Sequence, residues 1–298
     1  MSVELRLSDV DPPAEEPKRT IYTDLVPLPD PVKLGLTVRI FNFDAVNLYM
    51  RVDASLAPWA FVQTDVGILN TGTNKYYNLD EFGSRAKPAA ATEETVTLRL
   101  RAYTDAGYLT LKWTYELEVD VVFIKSDDGS WTLDELDNFD DGTVQGWVAT
   151  NEQNNDGGFP TLAVANDFVL SAAWSLKMVQ RRAAAAVWLG ARISKSFTTQ
   201  DRPTVYAVAD LRASDTGLAA DGYLIRNVYV RRGATLLLQF GAFVDWTTDG
   251  FPRNKWFRVV TPLPRNELIE VQIAIDGRAS NSKDILLWMD DFRIISKN

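Results

Sequence analysis

Hydrophobic and polar residues alternate with a period of two along most of the chain. In residues 95–101, Val96, Leu98 and Leu100 alternate with threonines and arginines, which predicts a strand with one buried face and one wet face. The stretches "KLGLTVRIFNF" from residue 33 and "YLTLKWTYELEVDVVFI" from residue 108 also favour strands. Helical periodicity is nearly absent, so the pattern predicts an all-β protein.

The spacing of the strands predicts two tandem β-sandwiches. Residues 34–126 contain about seven short strand patterns, which is typical of an immunoglobulin-like sandwich. A polar, turn-rich stretch at 125–138 marks the boundary. Residues 127–298 then carry eight strand patterns, from "SLKMVQ" to "ILLWMDDFRII", which fit an eight-stranded jelly roll of two sheets.

The first 33 residues differ from the rest because they are rich in proline and charge. Proline cannot donate to a strand ladder, so residues 1–33 are predicted to form an extended N-terminal arm. Two alternatives stay open for this arm: a disordered terminus, or a strap that orders against a neighbouring subunit.

Composition excludes several classes of function. The chain has no cysteine and no histidine, which removes thiolate and imidazole nucleophiles, general bases and zinc ligands. A net charge of -9 does not fit a basic footprint for nucleic acid. The chain has no apolar run long enough for a membrane span, and its first residues lack the apolar core of a secretory signal. We therefore expect neither nucleic-acid binding nor membrane insertion.

Four segments of the second domain resemble the jelly-roll carbohydrate-binding modules of the galactose-binding-like superfamily. They are "NFDDGTVQGW" (138–147), "WSLKMV" (174–179), "KWFRVVTPLP" (255–264) and "LLWMDDFRI" (286–294), in the order that the family has them. The resemblance covers only the C-terminal half of the chain. It implies that Trp147 and Trp256 belong to the core.

The resemblance also implies a place for a structural calcium ion. In the family, acids near the first and last strands meet at one rim, which here would bring together Asp140 and Asp290, with Asp291 as the next candidate. Oxygen ligands suit Ca²⁺ in a chain without cysteine or histidine. The alternative is that these acids accept backbone N–H bonds or are solvated.

Glycan-binding members of the family stack sugars on aromatic rings of the concave face or loop rim. The candidate rings in this chain are Trp246, Trp188, Tyr206, Tyr223 and Tyr229. A strand tryptophan or tyrosine is more often part of the core, whereas Trp246 lies in the polar loop "FVDWTTDGFPRN", where an exposed ring is expected.

The sequence predicts a binding or structural protein and not an enzyme. Its 40 acidic residues show no motif that sets one carboxylic acid against a second across a cleft, as glycoside hydrolysis requires. The first hypothesis is a virion surface component, made in the cytoplasm, that forms homo-oligomers, assembles with capsid proteins and contacts host glycans. The alternatives are an extracellular carbohydrate-binding accessory module, and a cell-surface adhesin or scaffold.

Overall fold

A computed structural model describes most of the chain and shows it to be all-β. The described residues are 2–7, 19–27, 37–54, 64–78, 88–153, 160–171, 173–180, 188–213, 223–245, 256–278 and 284–298. These residues form strands and turns, and no helix long and apolar enough to span a bilayer occurs among them. Two compact units divide the chain: Met1–Leu25 with Lys33–Ile124, and Val26–Val32 with Lys125–Asn298.

The first unit contains eight described strands in two sheets. They are β1 (Ser2–Leu7), β2 (Arg19–Asp24), β3 (Thr37–Asn42), β4 (Leu48–Ala54), β5 (Thr64–Leu69), β6 (Asn74–Asn78), β7 (Thr92–Tyr103) and β8 (Leu111–Ile124). One sheet has the order β1-β3-β6 and the other the order β2-β8-β7-β4-β5. The alternation in β7 has the predicted effect, since Leu100 and Ala102 are buried while Arg99 and Arg101 are half-exposed.

The N-terminal segment differs from the predicted extended arm. Residues 2–7 and 19–24 are strands of the first unit, because β1 pairs in parallel with β3 and β2 pairs in parallel with β8. Within residues 34–126, the described strand pairs β3-β6, β4-β5, β4-β7 and β7-β8 are all antiparallel, which agrees with the predicted sandwich.

The second unit contains eleven described strands. They are β9 (Thr132–Asp137), β10 (Val148–Gln153), β11 (Thr161–Ala165), β12 (Ser175–Gln180), β13 (Trp188–Thr198), β14 (Thr204–Ala213), β15 (Tyr223–Arg232), β16 (Thr235–Asp245), β17 (Trp256–Pro262), β18 (Leu268–Arg278) and β19 (Ile285–Lys297). The eight strands predicted from the sequence correspond to β12–β19, and three further strands precede them.

Two sheets form the sandwich of the second unit. The five-stranded sheet has the order β10-β13-β18-β15-β16. The six-stranded sheet has the order β11-β12-β19-β14-β17, and β9 pairs with the C-terminal half of β19. An aromatic cluster joins the two sheets: the rings of Phe197 in β13 and Phe292 in β19 stack with centroids 5.1 Å apart, and Trp147 contacts both edge-on.

The segment "NFDDGTVQGW" forms the loop that leads into this core. Phe139 and Trp147 are buried, as expected for Trp147 from the resemblance. The indole N–H of Trp147 donates to Asp137 at 2.9 Å, and Lys195 binds the same carboxylate at 2.7 Å. Gly146 has a φ of 83°, a left-handed conformation that favours glycine, and it directly precedes the buried tryptophan.

Candidate functional site

The five-stranded sheet of the second unit carries polar side chains on the face opposite the core. In β18, Ile269, Val271 and Ile273 are buried toward the core, so the residues between them point the other way. We call this surface the polar face, and it consists of Thr150, Arg192, Tyr229, Arg231, Glu270 and Gln272.

Gln272 links the charged side chains of the polar face through hydrogen bonds. Its carbonyl Oε1 accepts a hydrogen bond from Arg192 Nη1 at 3.1 Å and another from Arg231 Nε at 3.0 Å. Its amide Nε2 donates to Glu270 Oε2 at 2.8 Å. Because both ends of the amide are engaged and only 4% of the residue is exposed, its orientation is fixed.

The hydrogen bonds of the polar face cross four neighbouring strands. Arg192 in β13 donates through Nε to Thr150 Oγ1 in β10 at 2.9 Å, and Gln272 links it to Arg231 in β15. The side chains are therefore held in place by one another before any ligand arrives. Such pre-arrangement lowers the entropic cost of binding.

Tyr229 adds an aromatic ring to the polar face. It is the direct register partner of Gln272, it is half-buried, and the guanidinium carbon of Arg231 lies 5.8 Å from its ring centroid. An aromatic ring beside fixed amide, carboxylate and guanidinium groups is the combination that binds sugars, because the ring stacks on the apolar side of a pyranose and the polar groups bind its hydroxyls.

The other four candidate rings have different positions. Trp188 and Tyr223 are the first residues of β13 and β15, two strands of the same five-stranded sheet. Tyr206 belongs to the six-stranded sheet and is buried, with its ring 5.6 Å from that of Trp131, so it does not join the polar face. Trp246 lies outside the described residues.

Asp290 and Asp140, two of the acids predicted to meet at one rim, both accept hydrogen bonds from the chain between β11 and β12. Asp290 is buried and accepts from the backbone N–H of Leu170 at 2.7 Å and from the N–H and hydroxyl of Ser171. Asp140 is exposed and accepts from the backbone N–H of Ala173 at 3.2 Å. Burial raises the pKa of Asp290, and the neighbouring charge of Asp291 adds to that rise while the hydrogen bonds oppose it.

Among the described residues, the contacts of these acids are hydrogen bonds and not a set of oxygen ligands for calcium. The groups directed at Asp290 are N–H and O–H donors, which complement a carboxylate and repel a cation. In the described part of the chain, no three acidic side chains come together in a way that suits a metal ion. Asp291 is half-buried with a left-handed φ of 49°. The described contacts match the hydrogen-bonded alternative, and calcium binding stays a prediction.

A second buried carboxylate, which the sequence patterns did not single out, lies directly opposite Asp290. Asp210 in β14 is the register partner of Asp290 and binds Arg258 through two contacts of 2.7 Å. Arg258 also donates to the backbone carbonyl of Val26 at 3.2 Å. Burial raises the pKa of Asp210, and the charge of Arg258 opposes that rise. Both carboxylates are fully buried, so this acid pair serves the fold and is closed to a substrate.

No protein-family model and no curated protein sequence matches the chain. Among solved structures, one of the carbohydrate-binding modules of the β-sandwich superfamily, described for promiscuous specificity, is 12% identical over 89% of this chain and 94% of its own, with a TM-score of 0.41. A carbohydrate-binding module that recognises mannan is 13% identical over 56% of this chain and 99% of its own, with a TM-score of 0.37.

A third similar structure is the enzymatically active domain of tailspike protein 4 of bacteriophage CBA120. It is 11% identical over 52% of this chain and 20% of its own, with a TM-score of 0.34. At these TM-scores the similarity is too weak to support a functional conclusion. Any proposal about function therefore depends on the polar face.

Proposed function

We propose that this chain is a non-catalytic glycan-binding protein and that the polar face of its second unit is the binding surface. The observation that carries the proposal is the connected row of Thr150, Arg192, Gln272 and Arg231 beside the ring of Tyr229. Glycan hydroxyls need donors and acceptors at fixed positions. On the polar face the two guanidinium groups supply donors, and the Thr150 hydroxyl and the Glu270 carboxylate supply acceptors.

Two observations support a binding role without catalysis. The chain contains no histidine or cysteine, so imidazole and thiolate chemistry is unavailable to it. The acid pair Asp210 and Asp290 is sealed within the six-stranded sheet, where it cannot protonate or attack a glycosidic bond.

Affinity electrophoresis of the full chain in gels that contain neutral and acidic polysaccharides tests this proposal. We expect at least one polysaccharide to retard the wild type, and the substitution Tyr229→Ala to weaken binding about tenfold, the loss of roughly 1.4 kcal/mol of ring stacking. Phe43→Ala is the matched control, because Phe43 is an exposed aromatic residue of the first unit.

Two results would contradict the proposal. One is an absence of retardation by every polysaccharide in the panel. The other is an equal loss of binding in Tyr229→Ala and Phe43→Ala, with thermal melts that show both variants folded.

The finer proposal is that the chain works at the surface of a virus particle, as a homo-oligomer that binds capsid proteins. Its support is fold-level analogy, since jelly-roll sandwiches recur in viral surface proteins. Light scattering of the purified full chain is expected to show a symmetric oligomer, whose interface should bury more than about 1,000 Å². A strict monomer at high concentration would count against this role and leave the accessory-module and adhesin alternatives.

A further inference from the structure

We propose that the glycan bound at the polar face is anionic, and that its carboxylate or sulfate group binds the guanidinium group of Arg231. This inference deepens the proposed function and rests on it.

Two guanidinium groups converge at the centre of the polar face. Arg192 and Arg231 both donate to the same oxygen, Oε1 of Gln272, so their positive charges lie side by side. Gln272 is neutral and does not offset the charge of Arg231. Adjacent like charges favour the binding of an anion between or beside them.

Arg231 lacks a carboxylate partner among the described residues. Its register partner Glu270 directs Oε2 to the amide of Gln272, and no described carboxylate forms a salt bridge with Arg231. Its contacts are the Nε bond to Gln272 and the ring of Tyr229, which leave both Nη groups for a ligand.

This situation contrasts with other arginines of the same unit. Arg232 pairs with Glu267, Arg258 pairs with Asp210, and Arg265 lies near Asp201. The chain has 40 acidic residues and 31 basic ones, so carboxylates outnumber the lysines and arginines with which they can pair. Arg231 is half-buried, is held by Gln272 and has no carboxylate partner among the described residues, so its guanidinium group is preorganised to bind an anion.

The position of Tyr229 relates the anion to a sugar ring. A pyranose that stacks on Tyr229 lies next to Arg231, whose guanidinium carbon is 5.8 Å from the ring centroid. An acidic substituent of that sugar can then accept two parallel hydrogen bonds from the planar guanidinium group. The ring thus holds the sugar, and the guanidinium selects for its charge.

Calorimetric titration of the full chain with three oligosaccharides tests this inference. The probes are an oligogalacturonate, the same oligosaccharide after chemical reduction of its carboxylates to alcohols, and a sulfated galactan oligosaccharide. We expect at least one anionic probe to bind tenfold or more tightly than the reduced one, and that advantage to shrink as salt is added. The stronger of the two anionic probes then identifies the carboxylate or the sulfate as the bound group.

Three variants assign the effect to Arg231. Arg231→Gln should remove the preference for the anionic probe, and Arg231→Lys should retain part of it, because the charge remains while the planar fork is lost. Arg265→Gln carries the same change of charge at an exposed position and should retain the full preference. Melting curves of each variant show whether it is folded.

The outcomes separate this inference from the proposed function. If the reduced, neutral probe binds as tightly as the anionic probes, the anionic ligand is wrong. If Arg231→Gln keeps the preference, the assignment to Arg231 is wrong. Glycan binding stands in both cases. If none of these probes and none of the neutral polysaccharides binds, the proposed function fails as well.

Discussion

At the scale of single residues, the second unit depends on a buried ion pair. Asp210 and Arg258 form a bidentate contact inside the six-stranded sheet, and both side chains are withdrawn from water. Removing one partner leaves the other charge buried and uncompensated, which costs far more than the loss of an exposed pair.

The substitution Asp210→Ala is therefore expected to lower the free energy of unfolding by about 3–5 kcal/mol. The control is Asp201→Ala, whose pair with Arg265 is exposed at 4.0 Å, and which should change stability by less than about 0.5 kcal/mol. Urea denaturation of the full chain measures both. Similar small effects in the two variants would show that the buried pair contributes little.

Asp290 should give the stability a distinctive dependence on pH. Its pKa in the folded protein is raised above the ordinary value of 3.8 by burial, so the folded state binds its proton more tightly than the unfolded state does. Stability contributed by this residue is then greatest at low pH and falls as pH rises through the raised pKa.

The substitution Asp290→Asn should remove that dependence. Its amide oxygen can accept the N–H groups of Leu170 and Ser171, and its amide nitrogen can donate to the hydroxyl of Ser171. We expect the variant to be more stable than the wild type at pH 7, and this advantage to disappear as the pH is lowered toward 3.8. Urea denaturation across this range measures it, with Asp201→Asn as the exposed control.

The same variant tests the calcium site predicted from the sequence. If Asp290 is held by hydrogen bonds alone, EDTA should leave the melting temperature of the wild type unchanged. If EDTA lowers the melting temperature of the wild type but not that of Asp290→Asn, the hydrogen-bonded arrangement is contradicted and a calcium site at Asp290 is supported.

At the scale of strands, periodicity predicted most of the second unit. The eight strands β12–β19 could be predicted because their apolar residues alternate and face a shared core. Strand β9 was not predicted, because its sequence resembles a polar linker. Its leucines, Leu133 and Leu136, are 53% and 42% exposed, while Asp137 is buried against Lys195 and Trp147, so its pattern is the reverse of the usual one.

The polar face shows why only part of the candidate site could be predicted. Tyr229 was a candidate ring, but Arg192, Arg231 and Gln272 were not identified. These residues are far apart in sequence and become neighbours only through the strand order β13-β18-β15. A single sequence predicts strands and their solvent-exposed faces, whereas the order of the strands in a sheet depends on long-range pairing. The alternation "LIEVQIAID" in β18 is the local signal that could have identified Glu270 and Gln272.

At the scale of the whole molecule, the chain divides into two all-β units. The sequence predicted one boundary between them, whereas the second unit also includes a short segment from near the N-terminus. The predicted boundary between residues 126 and 127 lies close to the division between Ile124 and Lys125. The short segment Val26–Val32 also belongs to the second unit, where the carbonyl of Val26 binds Arg258. Arg258 therefore joins Val26 to the sheet that contains Asp210.

The most direct test of glycan binding at the polar face is a crystal structure of the full chain with a bound oligosaccharide from the binding panel. The account predicts a sugar ring on Tyr229, with hydrogen bonds to the guanidinium groups of Arg192 and Arg231. A sugar bound at another surface, with the polar face empty, would contradict it.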